Sequence, residues 1–149
     1  MFEALIIVLA VAVDQVVKWW AEAALTESVI SVIPGIIDLR YTQNTGIAFS
    51  LFEEIPFVLA ILAAVLSAVL ILFLYKNRNN QGRLFGFSLA LIAGGAIGNL
   101  TDRIFRGYVV DMIEPVFVNF AIFNVADCFI CVGAVILCCH ILFDKQIKI

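Results

Sequence analysis

The sequence predicts an all-α membrane protein of four transmembrane helices, with a small sheet laid over one set of helix ends. Of its 149 residues 64% are hydrophobic and only 14% charged. Mean hydropathy is +1.10, far above the balance of soluble domains. Four runs, about 2–17, 56–75, 84–100 and 125–143, have the length and apolarity that a hydrocarbon core of about 30 Å asks of a helix. No Pro/Gly/Ser-rich linker or internal repeat divides the chain, so residues 1–149 read as a single domain. A net charge of −3 offers no basic face for nucleic acid.

The first run resembles a signal-peptide core over Leu5–Val13, with Ala21-Glu22-Ala23 as a cleavage site. Its start, Met1-Phe2-Glu3, has no Lys or Arg, and the run flows into Asp14, Lys18, Trp19 and Trp20. A membrane helix ending in an interfacial Trp belt accounts for those residues better. In the connection that follows, Ile37, Leu39 and Tyr41 alternate with Asp38, Arg40 and Thr42 behind a Pro34-Gly35 turn, the pattern of a half-buried strand. The second run has no ionisable residue between Pro56 and Tyr75. The short link to the third carries Lys76, Arg78 and Arg83 and no acid, and the tail adds Lys145 and Lys148. By the positive-inside rule that link and both termini are cytoplasmic, and the longer connections lie outside. The third run contains Gly94 and Gly98, a small-xxx-small pair suited to close helix packing. After it, "YVVDMIE" beyond Gly107 and "FVNFAIF" beyond Pro115 are short enough to be strands, and the fourth run opens with Asn124 and Asp127.

Antiparallel threading gathers the unusual polar residues into one layer. Asp14 and Lys18 near the end of helix one, Asn99, Asp102 and Arg103 at the end of helix three, and Asn124 and Asp127 at the start of helix four share a level. Asn44 and Asp111 join them from the outer loops. Each piece has an ordinary reading: Asp14 and Lys18 are an i,i+4 ion pair, and Asn124 with Asp127 resembles a helix N-cap with an acid in its first turn. Together they are harder to explain, because carboxylates near lipid are costly and usually serve a site. Asp111, inside "YVVDMI", is neither a cap nor in a polar loop.

Two carboxylates close together in a partly dehydrated place cannot both ionise cheaply, so they share a proton and supply a general base and a general acid at once. Water-mediated peptide hydrolysis needs that combination. Asp111 and Asp127 are the candidates, with Asn44, Asn99, Asn124 and Arg103 to orient them or to hold substrate carbonyls. Asp127, one turn into the lipid, is placed so that its pKa can be raised while its partner stays charged, although the sequence leaves open which aspartate holds the shared proton. His140 is near the other end of helix four, which leaves no Ser-His or Cys-His nucleophile in the layer. Cys128 and Cys131 form a C-x-x-C inside an apolar helix, without the setting of a redox or metal motif. Cys138 and Cys139 read as small hydrophobes.

The stretches "DQVVKWW" from Asp14, "NTGIAF" from Asn44, "GNLTDRIFRGYVVDMIE" from Gly98 and "FNVAD" ending at Asp127 resemble, in order, those of the lipoprotein signal peptidases, the bacterial signal peptidase II family of membrane aspartyl peptidases. The resemblance spans essentially the whole chain. It implies four transmembrane helices with an outer β-cradle and a short amphipathic element over the site, in the bacterial cytoplasmic (inner) membrane. It implies a diacylglyceryl-modified prolipoprotein as substrate, cut just before the lipidated cysteine, with Asp111 and Asp127 catalytic and no metal or organic cofactor. Asn44, Gly46, Asn99, Arg103 and Asn124 match the family's supporting positions, and Asp14 and Lys18 its first-helix motif. Membrane lipid and the inhibitor globomycin are the further ligands it implies, and a monomer is expected. Ile47, Met112 and Glu114 depart from the family pattern, where a small residue, an aromatic and an aspartate are usual.

Two other classes compete. A proton- or cation-coupled transport or binding protein would run a path through Asp14, Lys18, Asp102 and Asp127, although carriers usually put such groups at midplane on broken helices. A structural membrane subunit would tolerate substitution throughout the polar layer.

Overall fold

The computed structural model describes residues 2–46, 56–77 and 82–143. Helix α1 spans Phe2–Leu25, and a hairpin of β1 (Ile30–Ile33) and β2 (Ile37–Asn44) follows; then come α2 (Pro56–Asn77), α3 (Arg83–Phe105), β3 (Val109–Pro115) and α4 (Val125–Phe143). All four helices are long and apolar enough to cross a membrane, and the chain is a multi-pass membrane protein.

Two helices run further than their hydropathy suggests. Helix α1 continues past Trp20 to Leu25, where a connection was expected. The cause is a buried stripe, Ala10, Asp14, Lys18, Ala21 and Leu25, spaced three and four apart so that one face stays turned to the protein. Its last two members pack with Val110 and Met112 in the core beneath the sheet. Helix α3 likewise reaches Phe105 rather than stopping near Leu100. It ends at Gly107, whose φ of 81° is the left-handed conformation favoured just beyond a helix C-cap.

Helix α3 is central, packed by α1, α2 and α4. Close approach depends on glycines. A Cβ at Gly94 would fall 2.6 Å from the Ala10 Cβ of α1, one at Gly95 would collide with the Ala126 carbonyl oxygen of α4, and one at Gly98 would lie 2.6 Å from Asp14 Oδ2. Gly94 therefore acts as the expected packing residue, while Gly98 makes room for a carboxylate. Gly133 returns the contact from α4, since a Cβ there would meet the Ser88 carbonyl oxygen at 2.7 Å.

The three strands form one antiparallel sheet in the order β1-β2-β3. The alternation in Ile37–Thr42 does give a strand. The Pro34-Gly35 turn closes as expected, with the Ile36 N–H donating to the Ile33 carbonyl at 2.9 Å and Gly35 at a φ of 74°. "YVVDMIE" supplies β3, but "FVNFAIF" is not a strand: residues 116–119 form a turn and only Phe123 pairs, as an isolated bridge to Ile113. Strand β1, exposed along its length, was not expected. The connection 47–55 between β2 and α2, with Ile47, lies outside the described residues, as do Arg78, Lys145 and Lys148.

Candidate active site

Strand β3 alternates between two surroundings. Val110 and Met112 point into the core against Ala21 and Leu25, so Val109 and Asp111 face the other way and line a cleft of about 600 Å³. Period-two geometry thus places a carboxylate in the cleft wall. Met112 belongs to the core, and Glu114 pairs with Arg40 at 3.0 Å; neither shapes the cleft around Asp111.

Asn44, paired with Val109 in the β2–β3 ladder, reaches diagonally along the same face. Its Nδ2 donates to Asp111 Oδ2 at 2.8 Å, and its Oδ1 accepts the Gly46 N–H at 3.0 Å. Gly46 in turn gives its carbonyl oxygen to Arg103 Nη2 at 3.0 Å. Arg103, from the last turn of α3, lines the cleft beside Asn44 and Asn99.

The head of α4 completes the arrangement. Asn124 Oδ1 accepts the Asp127 N–H at 3.0 Å, and Asp127 Oδ2 accepts the Asn124 N–H at 3.2 Å. The two residues form a reciprocal capping box, with aspartate in the place usually taken by Glu or Gln. The ordinary capping reading is therefore correct for both. Asn124 does more: its Nδ2 donates to Asp111 Oδ1 at 2.6 Å and to Asn99 Oδ1 at 3.1 Å. Asn99 Nδ2 donates to the remaining oxygen of Asp127 at 2.8 Å. One fully buried asparagine, Asn124, joins both aspartates.

Behind this layer is a buried ionic cluster. Lys18 Nζ meets Asp14 Oδ2 at 3.0 Å, Asp102 Oδ2 at 2.9 Å and Asn99 Oδ1 at 2.8 Å, which uses all three of its N–H donors. Asp14 Oδ1 accepts the Ala126 N–H at 2.9 Å, capping α4 from α1. Asp102 Oδ2 accepts the Val110 N–H at 3.2 Å and ties α3 to β3. Gln15, which sequence reasoning missed, donates to Asp14, Asp102 and the Gly98 carbonyl, each at 3.2 Å. Its only signal was its position between the charged residues Asp14 and Lys18.

Burial pushes the Asp111 carboxyl up to about 6; the Asn44 and Asn124 hydrogen bonds oppose the rise, and the nearby Asp127 charge adds to it. Depth in the membrane leaves open which aspartate holds the shared proton. The structure raises Asp111, because a strand closed between the core and the cleft is desolvated without lying in lipid. Cys128 and Cys131 line the cleft beside Asp127. Among the described residues, no group of three His, Cys, Asp or Glu side chains is placed to hold a metal ion. His140 lies far along α4, with its ring 6.1 Å from that of Phe85.

The description of one protein family, signal peptidase (SPase) II, matches residues 6–143. The chain belongs to the signal peptidase II family. Among its relatives, the lipoprotein signal peptidase of Streptococcus thermophilus (strain CNRZ 1066) is 41% identical over 128 residues, covering 85% of this chain and 83% of that one. The lipoprotein signal peptidase of Lactococcus lactis subsp. lactis (strain IL1403) is 39% identical over 144 residues, 96% and 95% of the two chains. A solved bacterial membrane enzyme shares the fold with a TM-score of 0.81 at 24% identity, over 99% of this chain and 94% of that one. A signal peptidase II is a peptidase, so the enzyme class expected from the sequence holds and the transport alternative has no support.

Proposed function

We propose that this signal peptidase II removes the signal peptide from diacylglyceryl-modified prolipoproteins, cutting just before the lipidated cysteine, with Asp111 and Asp127 as the catalytic pair. The observation that carries the reading is the Asn124 side chain joining the two aspartates at the head of an apolar-walled cleft between α3 and α4. An acyl-bearing cysteine stays at the membrane interface while the apolar signal segment lies among the helices, and a cleft lined by α3, β3 and α4 suits both.

Burial pushes the Asp111 carboxyl up to about 6, so the reacting form is the one in which Asp111 holds the proton and Asp127 acts as the base. Asp127 takes a proton from water as the water oxygen bonds to the carbonyl carbon, while Asp111 gives its proton to the carbonyl oxygen. The tetrahedral species then collapses: the C–N bond breaks, the proton on Asp127 passes to the leaving nitrogen, and a hydroxyl proton returns to Asp111. Asn44, Asn99 and Asn124 fix the two carboxylates in place, and Arg103, held by the Gly46 carbonyl, would meet the substrate. Asp14 and Lys18 act from behind, through Asn99 and the head of α4. Positive residues in the α2–α3 link support cytoplasmic termini and a site near the outer face of the bacterial cytoplasmic membrane. The chain acts as a monomer in contact with membrane lipid, and globomycin occupies the cleft.

The test is a cleavage assay on one precursor with and without its diacylglyceryl group, in the presence and absence of globomycin. Cleavage restricted to the lipidated form and blocked by globomycin is expected; equal cleavage of both forms would refute the substrate assignment.

A further inference from the structure

The segment between β3 and α4 does more than connect them. At Phe123 the N–H donates to the Ile113 carbonyl at 3.1 Å, and its own carbonyl accepts the Ile113 N–H at 2.8 Å and the Met112 N–H at 3.0 Å. Both backbone groups of Phe123 are thus turned toward β3, beyond which lies β2. In an extended chain successive residues present these groups to opposite sides. The groups of Ile122 and Asn124 therefore point away from β3, and Asn124 bears this out, because its N–H reaches Asp127. Ile122 lines the cleft and is half-buried, and among the described residues its N–H and C=O have no hydrogen-bond partner.

We infer that the Ile122 backbone is a substrate subsite, one rung of antiparallel β-pairing that holds the substrate chain extended beside Asp111 and Asp127. This rests on the peptidase reading above and deepens it. A signal segment crossing a bilayer is helical, since lipid offers its backbone no partners. In a helix the peptide groups bond to one another, so the stretch to be cut must unwind, and its freed N–H and C=O groups then need partners in a poorly hydrated cleft. Ile122 offers one donor and one acceptor at that place, on the side turned away from β3. One substrate residue would exchange both bonds with it, the N–H of each donating to the carbonyl of the other. The edge-to-face pair Phe120 and Phe123, with centroids 6.2 Å apart at 84°, braces the wall on which Ile122 is mounted.

The experiment is an amide-to-ester scan of a lipidated precursor peptide, one linkage at a time and omitting the scissile bond, cut by the full-length enzyme. An ester removes one N–H and weakens one carbonyl acceptor. The two linkages flanking a single residue near the cut should each lower kcat/KM about three- to tenfold, the value of one net hydrogen bond, with the other positions flat. In Ile122→Pro, which lacks the N–H, the penalty at the facing substrate carbonyl should vanish; in Ile122→Ala, which keeps it, the penalty should persist. A flat scan with the unaltered enzyme would overturn the subsite whether or not Ile122→Pro folds. So would penalties that add in full in Ile122→Pro. If the unaltered enzyme cuts no precursor at all, it is the peptidase assignment that fails instead.

Discussion

Replacing Asp111 with Asn should make the folded protein more stable at neutral pH while removing a side chain proposed to be essential. The Asp111 carboxyl rises from 3.8 to about 6 in the folded state, chiefly through burial, and the residue is 3% exposed. A folded-state value above the unfolded one means that folded protein binds the proton more tightly, so stability falls as pH rises from about 4 to about 6 and the full cost is present above that. At about 1.4 kcal/mol for each tenfold change in proton affinity, the cost above pH 6 is about 3 kcal/mol. An amide offers one donor where the carboxylate accepted from both Asn44 and Asn124, and the lost contact returns about 1 kcal/mol. The net gain at pH 8 is about 2 kcal/mol. Thermal unfolding of purified protein in detergent, followed by tryptophan fluorescence at pH 4 and pH 8, measures it. Asp111→Asn should melt a few degrees higher than the unaltered protein at pH 8 and no higher at pH 4. A variant less stable at both pH values, or a gain independent of pH, would show that ionised Asp111 does not burden the folded state.

Other consequences follow from the same contacts. In the free enzyme, kcat/KM should fall as pH rises through about 6, because Asp111 loses the proton it donates; a pH-rate profile checks this. Lys18→Met leaves Asp14 buried without a cation and Asp102 with Arg106 alone, at 3.4 Å, and should cost about 3–5 kcal/mol, seen as loss of folded protein in detergent. Gly95→Ala drives a methyl group into the Ala126 carbonyl at the head of α4 and should cost about 1–3 kcal/mol, with cleavage falling alongside the melting temperature. Arg40→Ala removes a half-exposed pair with Glu114 and should change stability by less than about 1 kcal/mol.

The polar layer was legible in the sequence because a bilayer makes charge conspicuous: an aspartate inside "YVVDMI" or one turn into a lipid-length run has no cheap explanation. The two aspartates and their asparagines could be found for that reason, and β2 from the alternation of Ile37, Leu39 and Tyr41 with polar residues. Helix ends were less legible. Trp19, Trp20 and Glu22 mimic a boundary, whereas α1 continues because Ala21 and Leu25 have a sheet to pack on, a contact between residues almost ninety positions apart in the chain. Lys18 looked like half of an ordinary ion pair, and only the approach of α3 gives it Asp102 and Asn99 as well. Strand β1 has no buried side to leave a pattern, and in "FVNFAIF" strand propensity yields to a turn that brings Phe123 back to β3.

If Asp111 and Asp127 together perform the cut, the decisive measurement is the rate of cleavage of a diacylglyceryl-modified precursor by Asp111→Asn and Asp127→Asn, each shown to be folded by its melting curve. Both variants should hold their fold, and cleavage should be lost in each. Cleavage at the unaltered rate by either folded variant would contradict that pairing.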